Sequence, residues 1–247
     1  MSLWPALADG VLRMLATGPG ALAVKGEGSA VAFSGAPVAD LNMAFAWSDA
    51  RALDALARRT EDFVLVASPE GNDAVSARAA ELGIVAVPEP LPVWLGPIDV
   101  GALPAPRGAV RRAGRGDMAA VRDVLAAAFG LPVEPLRIAF PDSIADDVDV
   151  HLAERDGTAV SAVMAIRSGE FVSLWSGGTV PAARNGGAFT DLMAQVLRFQ
   201  FERGATSFAG ITEAVASGIV VQRLGGRRAS DGHVWLRGSS VGELLQR

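Results

Sequence analysis

The alternation of apolar and polar residues divides the chain into short strands and helices that form two runs of similar order. In the first run, residues 4–15 carry leucine at helical spacing, and two apolar stretches follow at residues 20–25 and 29–34. This pattern predicts a helix followed by a β-hairpin. Strands and helices complete the run, and we expect them at residues 40–47, 48–59, 63–67, 72–83 and 84–87.

The second run begins near residue 109 and ends near residue 237. Its predicted strands lie at residues 109–112, 150–155, 159–166, 171–179, 206–211 and 233–237. Its predicted helices lie at residues 118–129, 134–144, 187–203 and 215–224. Short strands that alternate with helices in this order predict an α+β fold, in which helices flank a mixed, mainly antiparallel sheet.

Proline residues interrupt the pattern between the two runs. They are concentrated in the sequence from Pro88 to Pro106. Proline has no N–H group and disfavours helix in the residue before it. We therefore predict a linker over residues 91–108, with room for a short strand at 93–95. The linker would separate a first domain of residues 1–90 from a second domain of residues 109–247.

Composition excludes several kinds of chemistry. The chain has 247 residues, of which 50% are hydrophobic, so it can bury a real core and is not disordered over long stretches. It has no cysteine and no tyrosine, so it has neither a thiol nor a phenol to use. Its formal net charge of −5 gives no general attraction to nucleic acid. We expect a cytoplasmic protein without a metal, a nucleic-acid partner or a membrane partner.

The most informative segment is residues 175–190, where a strand ends, a glycine-rich loop follows and a helix begins. The first N–H groups of a helix have no partner within it, and the helix dipole leaves positive charge there. Gly186 and Gly187 allow a ligand to approach the backbone closely, and Arg184 adds a cation. These features suit a pyrophosphate. A plain strand–turn–helix connection with a surface arginine is the alternative interpretation.

The sequence from Pro181 to Phe189 resembles the central motif of the GCN5-related N-acetyltransferase (GNAT) family, Arg/Gln-x-x-Gly-x-Gly/Ala. Arg184 and Gly187 match this motif, and Phe189 departs from it. The element order of residues 109–238 is also similar to the family's order. The first run resembles a degenerate copy of the same unit, because Asp49 would place negative charge where a phosphate would lie. The resemblance thus implies a tandem of two GNAT-like units.

The resemblance further implies that acetyl-CoA is the co-substrate and that no metal takes part. In the family, the coenzyme enters a gap where two parallel strands part, and here the strands over 171–179 and 206–211 would form that gap. Main-chain groups would hold the pantetheine arm, with Thr179 as the favoured donor. The predicted coenzyme-binding residues are Gly178, Thr179, Val180, Arg184, Asn185, Gly186, Gly187, Ala188, Phe189 and Thr190.

The catalytic groups are open to more than one interpretation. Glu213 follows the second of these strands and is predicted to act as the general base, although a glutamate favoured by a helix N-terminus is the alternative. Ser217 is predicted to protonate the leaving thiolate, although it could also cap a helix. Val221 stands where many members place a catalytic tyrosine. His151 and His233 are more readily explained as a strand residue and a surface residue.

The implied function is an N-acetyltransferase that transfers the acetyl group of acetyl-CoA to a primary amine by direct attack in a ternary complex. The acceptor would be a small-molecule or peptide amine. An acidic run near residues 142–149 would attract a cationic acceptor, or would simply be a solvated face. The first half would bind no coenzyme and would form one wall of the acceptor cleft. A non-catalytic acyl-CoA-binding or interaction module of the same fold is the alternative, and a homodimer through an exposed strand edge is open.

Overall fold

Helices and strands follow the hydrophobic stretches closely in both halves of the chain. The computed structural model describes residues 3–18, 20–212 and 215–238. The first half contributes α1 (Leu3–Leu15), β1 (Leu22–Lys25), β2 (Ser29–Phe33), β3 (Asn42–Ala46), β4 (Phe63–Ala67), α2 (Pro69–Ser76), α3 (Ala79–Leu82), β5 (Val85–Ala86) and β6 (Leu91–Pro97). The predicted helix after β3 is instead a 3-10 helix at Arg51–Arg58.

The second half contributes six strands and five α-helices within the described ranges. They are β7 (Ala109–Arg112), α4 (Met118–Phe129), α5 (Val133–Ala139), α6 (Ile144–Asp147), β8 (Asp149–Arg155), β9 (Thr158–Ser168), β10 (Phe171–Thr179), α7 (Ala188–Glu202), β11 (Ser207–Ile211), α8 (Val215–Arg223) and β12 (Arg227–Arg237). None of the helices in these ranges is long and apolar enough to cross a membrane.

The described strands form one 12-stranded sheet, in the order β1-β2-β3-β4-β12-β6-β11-β10-β9-β8-β7, with β5 beside β12. Two neighbouring pairs are parallel, β3 with β4 and β10 with β11, and the other pairs are antiparallel. Each half therefore has an antiparallel meander that ends in a parallel pair. The predicted α+β fold with a mixed sheet flanked by helices is confirmed.

The two halves interlock in the middle of this sheet. The residues expected to begin a linker form β6, which pairs with β11 on one side and with β12 on the other. The later part of β12 pairs with β4 and β5 of the first half. Pro92 and Pro97 lie near the two ends of β6, so the interior of the strand keeps its N–H groups. One continuous sheet is observed, and the division into two units stays a prediction.

Helix α1 lies between the two halves. It packs against β2 and β3 of the first half and against β9 and β10 of the second. A Cβ atom on Gly10 would lie 2.6 Å from Nε1 of Trp175, so the absence of a side chain at residue 10 lets α1 approach β10. The rings of Phe45 and Trp175 meet edge to face, with their centroids 6.0 Å apart. The first half thus lies directly beside β10, the strand that leads to the candidate site.

Candidate active site

The parallel strands β10 and β11 part at their carboxyl ends. Their pairing runs from Phe171 and Ser207 to Leu174 and Gly210 and then stops. Beyond that point β10 continues beside β9 as far as Thr179, while β11 continues beside β6. The side of β10 that faces β11 is therefore left without a strand partner over its last residues. The resemblance to the GNAT family implied a gap between these two strands.

A β-bulge marks the point where the strands part. The register of β10 against β9 shifts between Trp175 and Gly178, and Ser176 has a positive φ of 48°. A Cβ atom on Gly178 would lie 2.7 Å from Cβ of Ala128 in α4, so a larger residue does not fit there. Close packing of α4 on the strand therefore requires glycine after the bulge.

Hydrogen bonds hold the end of β10 in place and leave one main-chain group directed into the gap. The N–H of Val180 donates to the carbonyl of Val160 at 2.9 Å. In an antiparallel pair, the main-chain N–H groups of successive residues point alternately toward the partner strand and away from it. The N–H of Val180 points toward β9, so the N–H of Thr179 points away from β9, toward the gap. The hydroxyl of Ser161 lies 2.8 Å from the carbonyl of Gly178 and 2.9 Å from the hydroxyl of Thr179. Val180 thus uses its own amide within the sheet, whereas the amide of Thr179 remains available.

The loop before α7 presents a row of unpaired amides. Asn185 and Gly187 have positive φ values of 65° and 81°, and Gly187 is the N-cap of the helix. Alternation of this kind turns successive N–H groups toward one side, and this arrangement binds anions. Within the described residues, none of the N–H groups of residues 185–190 makes a hydrogen bond of normal geometry. Among the residues that the structure describes, no protein acceptor therefore makes a well-formed hydrogen bond to the bed predicted for a pyrophosphate.

The aromatic ring of Phe189 does not cover this bed. Phe189 is half-buried and packs with the core beneath α7. Its ring lies against Gly177, where a Cβ atom would be only 2.9 Å from Cζ of Phe189. The chain accommodates the departure from the family motif because residue 177 has no side chain. The main-chain N–H of Phe189 remains part of the open row.

The side chain of Arg184 makes hydrogen bonds to two main-chain carbonyls next to the loop. Its Nη2 donates to the carbonyl of Ala128 at the end of α4 at 2.8 Å, and its Nε donates to the carbonyl of Thr179 at 3.3 Å. The side chain remains exposed. Arg184 therefore connects the end of α4 to the end of β10.

The corresponding loop of the first half is closed by its own hydrogen bonds. The N–H groups of Trp47, Ser48 and Asp49 all point to the carbonyl of Gly28 at 2.8–3.4 Å. The carboxylate of Asp49 accepts from the N–H of Arg51 at 3.0 Å. The strands β3 and β4 also stay paired to their last residues. Neither a gap nor a row of open amides is present in this part of the described structure.

Of the two predicted catalytic residues, the structure describes only Ser217. Glu213 lies outside the described residues. Ser217 is half-buried in the first part of α8. Val221, at the position where many GNAT proteins carry tyrosine, is 5% exposed and belongs to the core beneath α7 and α8. At this position the chain uses its side chain for packing.

The histidines and Trp175 have structural environments. His151 is buried on β8, with the ring of Phe199 at 5.2 Å, and burial lowers its pKa to about 4. His233 is exposed on β12, opposite Ala67 of β4. Trp175 is buried against α1 and Phe45. None of these side chains lines the open row of amides before α7.

Three carboxylates of the acidic run at residues 142–149 pair with arginine. Asp142 pairs with Arg122 at 2.8 Å, and Asp146 pairs with Arg115. Asp149 accepts from Arg112, Arg203 and Gln200. The attraction of a cationic acceptor by this run stays a prediction. A cavity of about 260 Å³ lies beside Asp149 and Arg203, near the start of β8 and away from the gap.

Comparison with known proteins shows a similarity to one family. The sequence model described as "Acetyltransferase (GNAT) domain" matches residues 110–212, a range that holds β10, β11 and the loop before α7. Residues 110–212 are therefore similar to a GNAT acetyltransferase domain. No curated protein sequence matches the chain.

Solved structures share the fold over nearly the whole chain. The GCN5-related N-acetyltransferase from Kribbella flavida has a TM-score of 0.68 at 17% identity and covers 98% of this chain and 99% of its own. A putative GNAT acetyltransferase from Novosphingobium aromaticivorans has a TM-score of 0.59 at 15% identity, with coverages of 88% and 92%. A GCN5-related N-acetyltransferase-like protein from Streptococcus suis has a TM-score of 0.52 at 15% identity, with coverages of 85% and 84%. The fold is therefore that of GNAT proteins.

Proposed function

We propose that the protein is an N-acetyltransferase that transfers the acetyl group of acetyl-CoA to a primary amine by direct attack in a ternary complex. The observation that carries this proposal is the row of open amides at residues 185–190, next to the parted ends of β10 and β11. A helix N-terminus with unpaired N–H groups favours a phosphate. The acceptor is a small-molecule or peptide amine.

The proposed coenzyme contacts follow from the accessible groups. The N–H groups of residues 185–190 would hold the diphosphate, and Arg184 would contribute positive charge. The N–H of Thr179 would hold the pantetheine arm or the thioester carbonyl, because it faces the gap. Acetyl-CoA supplies the activated acyl group. The chain's own task is to orient the amine and to accept its proton.

Glu213 is proposed as the group that removes this proton, and Ser217 as a donor to the leaving thiolate. In the sequence, Glu213 comes directly after Thr212, the residue that follows β11. A conservative Glu213→Gln variant should lower kcat while the Kd for acetyl-CoA stays unchanged. Ser217→Ala should have the smaller effect, because a thiolate is a good leaving group without strong acid assistance.

Calorimetry and a thiol assay test the proposal together. We expect acetyl-CoA to bind with a Kd in the micromolar range, and a panel of primary amines to include acceptors that release free coenzyme A. The chain contains no cysteine, so a thiol reagent reports the released coenzyme without a signal from the protein. Folded protein that gives no heat on titration with acetyl-CoA would contradict the proposal. Binding without turnover over the whole panel would favour the non-catalytic acyl-CoA-binding module.

A further inference from the structure

The segment between β6 and β7 brings an additional arginine to the candidate coenzyme site. Leu103 is buried in the core beneath α7. Arg198 of α7 donates to the carbonyls of Leu103 and Pro104 at 2.7 Å and 2.9 Å. These contacts fix the segment along α7, so that it reaches the N-terminal end of the helix at Arg107.

Arg107 lies directly against the first residue of the anion bed. A Cβ atom on Gly187 would overlap Nη2 of Arg107, so the guanidinium group is in contact with the N-cap of α7. Its Nε lies 3.4 Å from Oδ1 of Asp191. Within the described residues, its two terminal NH₂ groups make no hydrogen bond, and the side chain is 67% exposed. A guanidinium group has five N–H donors, so Arg107 retains donors for an anionic ligand.

Asp191 is a buried carboxylate placed beneath this arginine. It is 2% exposed, and its Oδ2 has no hydrogen-bond partner among the described residues. Arg155 approaches the same oxygen at 3.8 Å, and its Nη2 donates to the carbonyl of Gly186 at 2.7 Å. A buried charge is costly unless it is paired, so Asp191 holds both arginines close to the helix N-terminus.

The charges around the loop favour an anion with several negative groups. Arg107 lies against Gly187, Arg155 donates to the carbonyl of Gly186, and Arg184 directly precedes the open amides in the chain. Asp191 is the carboxylate that contacts Arg107 and Arg155. Three guanidinium groups and one carboxylate leave the bed positively charged. Arginine binds phosphate oxygens through paired N–H donors, and such charge-assisted bonds are the strong ones.

We propose that Arg107 binds a phosphate group of the coenzyme, and that Asp191 is the positioning residue that holds Arg107 beside the N-terminus of α7. This inference rests on the proposed function, since it takes acetyl-CoA as the ligand. It also gives the segment between β6 and β7 a role in binding. The competing explanation is that the ion pair between Arg107 and Asp191 is a purely structural contact.

The test compares Arg107→Gln with Arg115→Gln. Arg115 is 65% exposed and pairs with Asp146, so it matches Arg107 in exposure and in having an acidic partner, but it lies before α4. We expect Arg107→Gln to weaken acetyl-CoA binding about tenfold, the value of one charge-assisted hydrogen bond, and Arg115→Gln to leave it unchanged. Arg107→Lys should recover part of the affinity, because it keeps the charge.

Two further measurements separate phosphate binding from a structural role. Affinity for S-acetylpantetheine, which carries no phosphate, should be the same in wild type and Arg107→Gln. The Kd for acetyl-CoA should depend less steeply on salt concentration in Arg107→Gln than in wild type. Equal acetyl-CoA affinity, an unchanged salt dependence, or a parallel loss for both ligands would overturn the role of Arg107. The proposed function is tested separately: it fails if the folded wild type does not bind acetyl-CoA, or binds it without turnover over the amine panel.

Asp191→Asn tests the positioning role. The variant keeps the shape of the side chain and removes the charge that holds Arg107. We expect it to weaken acetyl-CoA binding in the wild-type background and to have a smaller effect in Arg107→Gln, where only its contact with Arg155 remains to be lost. Additive losses in the double variant would overturn the role assigned to Asp191.

Discussion

The ring of Phe189 lies so close to Gly177 that a Cβ atom on Gly177 would be 2.9 Å from the ring. Gly177 follows Ser176, the residue with positive φ in the β10 bulge. Gly177 and Phe189 belong to the two elements that shape the candidate site, the end of β10 and the start of α7. Their contact lets an aromatic residue occupy a motif position that holds glycine or alanine in the family. Through this contact, α7 packs directly against the end of β10.

Gly177→Ala should therefore destabilise the protein through a packing conflict. We expect the free energy of unfolding to fall by about 1–3 kcal/mol, the usual cost of overpacking a well-filled site. Denaturant unfolding of the single variants and of Gly177→Ala/Phe189→Ala measures it. The double variant should lose less than the sum of the two single variants, because the smaller residue 189 makes room for the methyl group. Strict additivity would show that the two residues do not interact.

Gly187→Ala should weaken acetyl-CoA binding by more than its loss of folding stability explains. Residue 187 has a positive φ of 81°, and a side chain there would displace Arg107. Gly204→Ala is the matched control, because Gly204 has a φ of 93° at the other end of α7 and open space around it. Both variants should lose about 1–2 kcal/mol of stability from the left-handed backbone. Only Gly187→Ala should weaken acetyl-CoA binding in calorimetry, and an equal effect of the control would contradict this assignment.

The protein should bind one acetyl-CoA per chain. The loop of the first half uses its amides for Gly28 and the side chain of Asp49, and β3 and β4 do not part. Calorimetric titration should therefore give a stoichiometry of one. A stoichiometry of two would show that the first half also takes up the coenzyme.

His151 should make the folded state less stable in acid. Its pKa is lowered by burial from 6.5 to about 4, so below pH 6.5 the unfolded chain takes up a proton that the folded chain does not. The stability it confers is complete above pH 6.5 and is lost as the pH falls toward 4. Between pH 7 and pH 5 this linkage removes about 2 kcal/mol of unfolding free energy. Denaturant unfolding at both pH values should show a smaller difference for His151→Gln, and His233→Gln, at an exposed position, is the control.

Local patterns predicted most of the elements because their residues carry the signal themselves. The heptad-like leucines of α1 and the apolar stretches of β8, β9 and β10 are examples. By contrast, β6 was expected to be mostly linker, since its prolines resemble a loop and its partners β11 and β12 lie more than 100 residues away in the chain. The polar start of β12, from Arg227 to Asp231, was missed for the same reason.

The candidate site was predictable to the extent that it lies in one segment. Residues 175–190 contain the strand end, the loop and the helix start, so their sequence alone indicated an anion bed. Arg107 and Arg155 were not found, because their relation to Gly186, Gly187 and Asp191 exists only after distant segments have folded together. The sequence shows that Phe189 departs from the family motif, but only the structure shows that its ring packs against Gly177.

Hydrogen–deuterium exchange of the loop before α7 tests the central claim most directly. The amides of residues 185–190 make no hydrogen bond of normal geometry within the described structure, so they should exchange quickly in the free protein. Saturating acetyl-CoA should slow exchange in a peptide covering these residues, and the corresponding peptide around residues 47–52 should not change. Binding of acetyl-CoA that leaves the exchange of residues 185–190 unaffected would contradict the claim that these amides hold the coenzyme's diphosphate.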